Sequence, residues 1–442
     1  MCKMSSQIEA DVQSKLQRIQ ATNKETNAFI TVNEQVIKDI RPSAVPRSLE
    51  GFTLAVKDNI EVAGLPNTGG TKALDKFIPT RDATVVTRLK DEGAIVIGKT
   101  NLHELMFGIT SKNYAYGAVG NALDVKYIAG GSSGGTAVAV AMGCARVGLG
   151  TDTGGSVRIP AALNGIVGFR PSTGRYPSDG MVLLSNTRDT IGPMTLNVTD
   201  AALLDAVITK TEPSLPNIDI SSLKLGVPRS YFYHNLDPEV ANVMEKVLVK
   251  LKNAGVTLIE EDIPDVEELS SKSGFTIIFY ETGQLIPQYL KDNNIPVTME
   301  EVLDKIESPD VKQIIHNTMT AAPSEPVYRE ALEVVRPQLQ QRVVDYFAKY
   351  EVDAIIYPTT PLPARLIEGI DETVEINGVK VPTLPIYNRN MEPSSITGIP
   401  SLTLPAGKSS QGMPIGLDID GPVNSDRRLL AIGLLLEPIL IA

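Results

Sequence analysis

The chain has 442 residues, 42% of them hydrophobic, enough for a sizeable core and for about two or three domains or one large α/β domain. A net charge of −11, from 41 basic and 52 acidic residues with no basic cluster, argues against nucleic acids and anionic membranes as partners. No apolar run is long enough for a membrane span, MCKMSSQIEADVQSKLQRIQ lacks the apolar core of a signal peptide, and Cys2 and Cys144 cannot make a disulfide framework, so a cytoplasmic setting is expected.

Taken in order, residues 7–19 read as a polar amphipathic helix within an N-terminal helical region, 1–50. Residues 52–56 read as a strand that delivers Lys57. A lone lysine is usually solvated surface, but the approach through Leu54, Ala55 and Val56 is apolar. A helix is expected over 82–92 and a buried strand over 94–97. The segment GAIVIGKT, 93–100, matches the phosphate-binding pattern G-x-x-x-x-G-K-[ST]. That pattern needs a flexible cradle of N–H groups before the lysine. Ala94 to Ile97 instead read as a strand whose N–H groups belong to a sheet. The match is therefore read as accidental, and a nucleotide-binding protein stays only as the rival from another functional class.

The densest signal runs from 130 to 160. Two glycine–serine clusters, GGSSGG at 130–135 and TGGS at 153–156, flank an apolar segment. Residues 134–143 are small and apolar on every face, which predicts a core helix. Its N-terminus is expected to present free N–H groups to Ser132 and Ser133. Residues 146–150 read as a short buried strand leading to Thr151, Asp152, Thr153, Gly154, Gly155 and Ser156. A strand ending in glycines and a serine can hold the hydroxyl beside several backbone N–H groups, the requirement for stabilising an oxyanion. Arg158 is expected to pair with an acid such as Asp152.

GGSSGG also fits the nucleophile elbow G-x-S-x-G, which would require an acid and then a histidine downstream. Only His103, His234 and His316 are present. None has a glycine-rich or strand-end setting, so a histidine triad finds little support. The sparse His and Cys content, without H-E-x-x-H or paired C-x-x-C, gives no metal site.

Further along, 166–169 reads as a strand and 187–193, TRDTIGP, as a loop with a charged pair. A strand (223–227), an amphipathic helix (237–254) and another strand (256–263) follow. Residues 266–350 turn mainly helical, with breaks at Pro296, Pro309 and Pro323. A buried strand over 353–357 ends in Pro358-Thr-Thr-Pro361.

The whole stretch from Gly130 to Pro160, with Lys57 upstream, resembles the amidase signature family of serine hydrolases. The segments 388–407, 413–421 and 425–431 and the TRDTIGP loop are similar to its indoleacetamide and mandelamide hydrolase branch. The resemblance implies an α/β fold, a large mixed β-sheet covered on both sides by helices. It implies one domain over 1–442, with 266–350 as a variable insertion. It implies Ser156 as nucleophile, Ser132 as bridging serine after a cis Gly131–Ser132 bond, and Lys57 as base. Thr153, Gly154 and Gly155 would serve the oxyanion, Met106 would touch the substrate, and Ser133, Asp152 and Arg158 would support the site. The expected reaction is hydrolysis of a small primary carboxamide to acid and ammonia, without cofactor or metal. A glutaminase subunit of a tRNA-dependent amidotransferase shares the signature and remains an alternative. Whether the chain forms a homodimer is left open.

Overall fold

The computed structural model describes residues 2–40, 45 and 47–441. Its centre is a mixed sheet of eleven strands that draws on residues from 29 to 420. The strands are β1 (Phe29–Val32), β2 (Thr53–Lys57), β3 (Ile95–Thr100), β4 (Val147–Asp152), β5 (Val167–Arg170), β6 (Thr190–Thr195), β7 (Lys224–Gly226), β8 (Thr257–Ile259), β9 (Ala354–Pro358), β10 (Ser401–Lys408) and β11 (Pro414–Asp420). Their spatial order is β1-β3-β2-β4-β6-β5-β10-β11-β9-β7-β8. β3, β2 and β4 run parallel, as do β9, β7 and β8, and antiparallel pairings join the two sets.

Both faces of the sheet are covered. Along β2, Leu54 and Val56 enter the largest apolar cluster, with the helices Val198–Thr209, Pro238–Asn253 and Asp426–Ile441. Ala55 faces the other way, into the cluster that holds Val138 and Ala139 of the helix Gly134–Ala141. This is the period of two expected of a strand buried on both sides. It places Lys57 on the face of Ala55, toward that helix. The helix lies close because β4 has no side chain at Gly148, where a Cβ would stand 2.5 Å from Thr136 Cγ2.

Several expectations need correction. The N-terminal helix runs over Cys2–Thr26, beyond 7–19 at both ends. Within the expected helical region 1–50 lie also β1 and the short helix Val36–Asp39, while residues 1, 41–44 and 46 fall outside the described residues. Half of the TRDTIGP loop is the buried strand β6, with Pro193 opposite Leu149 of β4. Proline is tolerated there because the ladder with β5 covers only Thr195 and Met194, so position 193 owes it no N–H. The strand expected over 256–263 stops at Ile259, where Glu260, Glu261 and Asp262 are exposed.

Residues 266–350 form the helices Val266–Asp292, Met299–Lys305, Pro309–Thr320, Glu325–Glu330 and Arg336–Tyr350. Pro309 occupies the first turn of its helix, where its missing N–H costs nothing. Among the described residues no helix is long and apolar enough to cross a membrane.

Candidate active site

Lys57, at the end of β2, is fully buried. Its Nζ lies 2.8 Å from Ser132 Oγ, 2.8 Å from Thr151 Oγ1 and 3.4 Å from the Thr151 carbonyl. Burial disfavours the ammonium and brings its pKa down to about 7, against the opposing charges of Asp152 and Asp189. A strand that carries its last side chain into the core thus yields an amine that can be neutral near neutral pH.

The Gly131–Ser132 peptide bond is cis. Ser132 is fully buried, and its carbonyl accepts the N–H of His103 at 3.1 Å. The next residue joins the two glycine–serine clusters. Ser133 donates its N–H to the Ser156 carbonyl at 3.2 Å, and its hydroxyl donates to the Thr151 carbonyl at 3.2 Å. The helix N-terminus is not free, contrary to expectation. Gly134 donates to Ser111 Oγ and Gly135 to the Asn101 carbonyl, each at 3.1 Å. Donors pressed into a core must find acceptors, and here neighbouring loops supply them.

Ser156 follows β4 through a tight turn and lines a narrow cavity of about 40 Å³. Its hydroxyl makes no hydrogen bond to a described residue, and none links it to Ser132. Such contacts commonly tighten only with substrate bound. Met106, Thr153 and Gly154 line the same cavity, with apolar walls from Phe107, Ile109, Leu184, Phe275, Ile278 and Leu384. A cleft of about 990 Å³ between residues 73–81 and 292–305 contains none of the candidate residues.

The turn corrects one assignment. Gly155 does not line the cavity, and its N–H is donated to Asp152 Oδ1 at 2.8 Å. Its φ of +110° and a would-be Cβ only 2.6 Å from Met391 Cγ explain the glycine as a backbone requirement. The N–H groups of Thr153, Gly154 and Ser156 carry no hydrogen bond to a described residue and remain available.

Beneath the turn, Asp152 is fully buried and receives Arg158 in a fork, 3.1 Å on each oxygen, and Arg170 at 2.9 Å. Burial alone would raise its pKa, but the two guanidinium groups hold it well below the usual carboxylate range. Arg158 also donates to Ser394 and Ser395, each at 2.7 Å. The pairing of Arg158 with Asp152 is the one anticipated. Arg170 was not anticipated, and neither was Thr151.

Arg188 and Asp189 do not pair with each other. Arg188 is fully buried and donates to Glu392 Oε1 at 3.0 Å. Asp189 Oδ2 accepts the N–H groups of Leu184 and Ser185 at 2.7 and 3.1 Å, and burial raises its pKa to about 6.

The rival motifs resolve against their chemistry. Lys99 of GAIVIGKT lies in β3, is fully buried, and is held by Asp58 at 2.9 Å and Asn67 Oδ1 at 2.8 Å, so no phosphate can reach it. His234 and His316 are exposed. His103 is buried beside Asp310 and Thr110, 3.1 and 3.3 Å from its ring nitrogens.

Ser156 and backbone N–H groups without a partner among the described residues line the cavity, while Lys57 is buried against Ser132, an arrangement suited to a hydrolase. The Amidase family model matches residues 10–430, and the chain belongs to that family. It is an amidase. It is 44% identical to an indoleacetamide hydrolase from Agrobacterium vitis over 390 residues, 88% of this chain and 83% of the relative. It is 39% identical to a mandelamide hydrolase from Pseudomonas putida over 454 aligned positions, 97% of this chain and 87% of the relative. A solved structure described as an amidase superposes with a TM-score of 0.87 at 33% identity, covering 98% of this chain and 96% of the other.

Proposed function

We propose that this amidase hydrolyses a small primary carboxamide of the aryl-acetamide type, such as indoleacetamide or mandelamide, through an acyl-enzyme on Ser156. The observation that carries the reading is the buried Lys57 amine, 2.8 Å from Ser132 Oγ, with its pKa near 7. Neutral Lys57 takes the Ser132 proton as Ser132 takes that of Ser156, whose Oγ attacks the amide carbon. The N–H groups of Thr153, Gly154 and Ser156 receive the developing oxyanion. Losing one such donor costs about 3 kcal/mol of barrier. The C–N bond breaks as the proton returns through Ser132 to the nitrogen, and ammonia leaves. Water repeats the attack along the same relay, releasing the acid and restoring Ser156.

The apolar walls favour an aromatic acyl group. They offer no charged side chain for the α-amino and carboxylate groups of glutamine, which counts against a glutaminase subunit. We read 1–442 as one domain in which the insertion 266–350 contributes Phe275 and Ile278 to the pocket. We also read the protein as cytoplasmic, in keeping with Cys144, a free buried thiol.

The test is ammonia release from phenylacetamide, indoleacetamide, mandelamide, aliphatic amides and glutamine, with mass spectrometry after a fluorophosphonate. The expected result is preference for aryl-acetamides and one adduct on Ser156. An adduct on Ser132 or Ser133, or preference for glutamine, overturns the reading.

A further inference from the structure

Arg188 plays no part in the proton relay, yet its buried guanidinium joins three elements around the pocket. Nε donates to the Thr153 carbonyl at 3.2 Å, Nη1 to the Gly274 carbonyl at 3.0 Å and Nη2 to Glu392 Oε1 at 3.0 Å. Gly274 belongs to the helix Val266–Asp292, one residue before the cavity-lining Phe275. Glu392 Oε1 also accepts the side-chain amide of Asn388, another cavity residue. Arg188 is itself fixed, since its own carbonyl accepts Arg170 Nη2 at 2.7 Å.

Two glycines make room for this arrangement. A Cβ on Gly154 would lie 2.9 Å from Glu392 Oε1, and one on Gly274 would lie 2.5 Å from Glu392 Oε2. The Glu392 carboxylate therefore fills the space between the serine turn and the helix, and Arg188 neutralises it there.

The bond to Thr153 has a directional effect. The Thr153 carbonyl and the Gly154 N–H belong to one planar trans peptide, and in such a unit they point in opposite directions. Holding the carbonyl toward Arg188 turns the Gly154 N–H away from it. Gly154 lines the cavity, and its N–H has no partner among the described residues. We propose that Arg188 is the positioning residue that sets the Thr153–Gly154 peptide plane and so presents the Gly154 N–H to the oxyanion. Without it that plane can rotate and put a carbonyl dipole where a donor is needed. The inference rests on the acyl-transfer reading above.

The experiment compares wild type, Arg188→Lys and Arg188→Ala with phenylacetamide, together with the rate of fluorophosphonate labelling at Ser156. The labelling needs no matched acyl group, and its phosphoryl oxygen takes the place of the oxyanion. With one donor disordered, kcat should fall about a hundredfold in Arg188→Ala while KM stays within about threefold. Labelling should slow in parallel. Lysine, which can still reach one carbonyl, should recover about tenfold of the loss in kcat. The midpoint of the pH–rate profile should stay in place, because Lys57 is untouched. If Arg188→Ala does not fold, the Lys variant decides. A kcat and labelling rate equal to wild type in that variant overturn the proposal, as does a loss expressed in KM alone. Failure of the active-site reading has a separate signature: wild-type enzyme is then not labelled at Ser156 at all.

Discussion

Thr151 Oγ1 and Lys57 Nζ stand 2.8 Å apart, the same distance that separates Nζ from Ser132 Oγ. A neutral amine has two N–H bonds and one lone pair. The Thr151 hydroxyl and carbonyl can take both N–H groups, which leaves the lone pair for the Ser132 proton. Asn59 Nδ2 donates to the same hydroxyl at 3.3 Å and helps hold it. Thr151→Val should therefore lower kcat about tenfold or more with little change in KM, and Thr151→Ser should restore it. Steady-state kinetics on one amide checks this, and a valine variant with full kcat removes Thr151 from the relay.

Activity should rise with pH through about 7, as Lys57 loses its proton. Lys57→Ala should remove most activity and, in what remains, the ionisation. Single replacements of His103, His234 and His316 should leave the midpoint where it is. A histidine variant that erases the midpoint would transfer the role of base to that residue.

The same ionisation bears on stability. The folded pKa of Lys57, about 7, lies below the value of about 10.4 expected of an unfolded lysine. Between these values the unfolded chain binds more protons, so stability rises with pH there. Below about 7 the cost of burying the amine is present in full, on the order of several kcal/mol. Lys57→Met should be more stable than wild type at acidic pH, with the gap narrowing toward alkaline pH. Urea unfolding across the range reads this out. A pH-independent gap means that the amine is not depressed.

Lys99 answers the nucleotide question by a different route. Lys99→Met leaves the buried Asp58 carboxylate without its ion pair, which should cost about 3–5 kcal/mol. Wild-type Tm should not move with ATP and magnesium. A rise in Tm with nucleotide, lost in the variant, would reopen the phosphate-binding reading of GAIVIGKT.

What was legible in the sequence was what close packing writes locally. Gly148, Gly150, Gly154 and Gly155 crowd one short stretch because a helix, a strand and a buried carboxylate all approach it, and that density marked the site. The approach to Lys57 was legible from its apolar neighbours. Arg188 was not, because Thr153, Gly274 and Glu392 are remote from it in the chain, and no spacing rule links them. β6 was hidden by Gly192 and Pro193, residues that normally end strands. Here Gly192 lets the Phe169 carbonyl pass 2.4 Å from where a Cβ would be. Arg170 carried no local signal, because Asp152 is 18 residues away in the chain and only the fold brings the two together.

The pocket draws on two kinds of chain. The amine and the serine turn hang from adjacent parallel interior strands of the sheet, whereas the walls come from the loop at 106–109, the helix Val266–Asp292 and the segment Thr383–Asn388. A change at Phe275 or Leu384, both only half-buried, disturbs few neighbours. A change at Lys57 or Asp152 disturbs the centre of the molecule. A directed-evolution library confined to the walls should therefore retune amide preference without moving the pH profile.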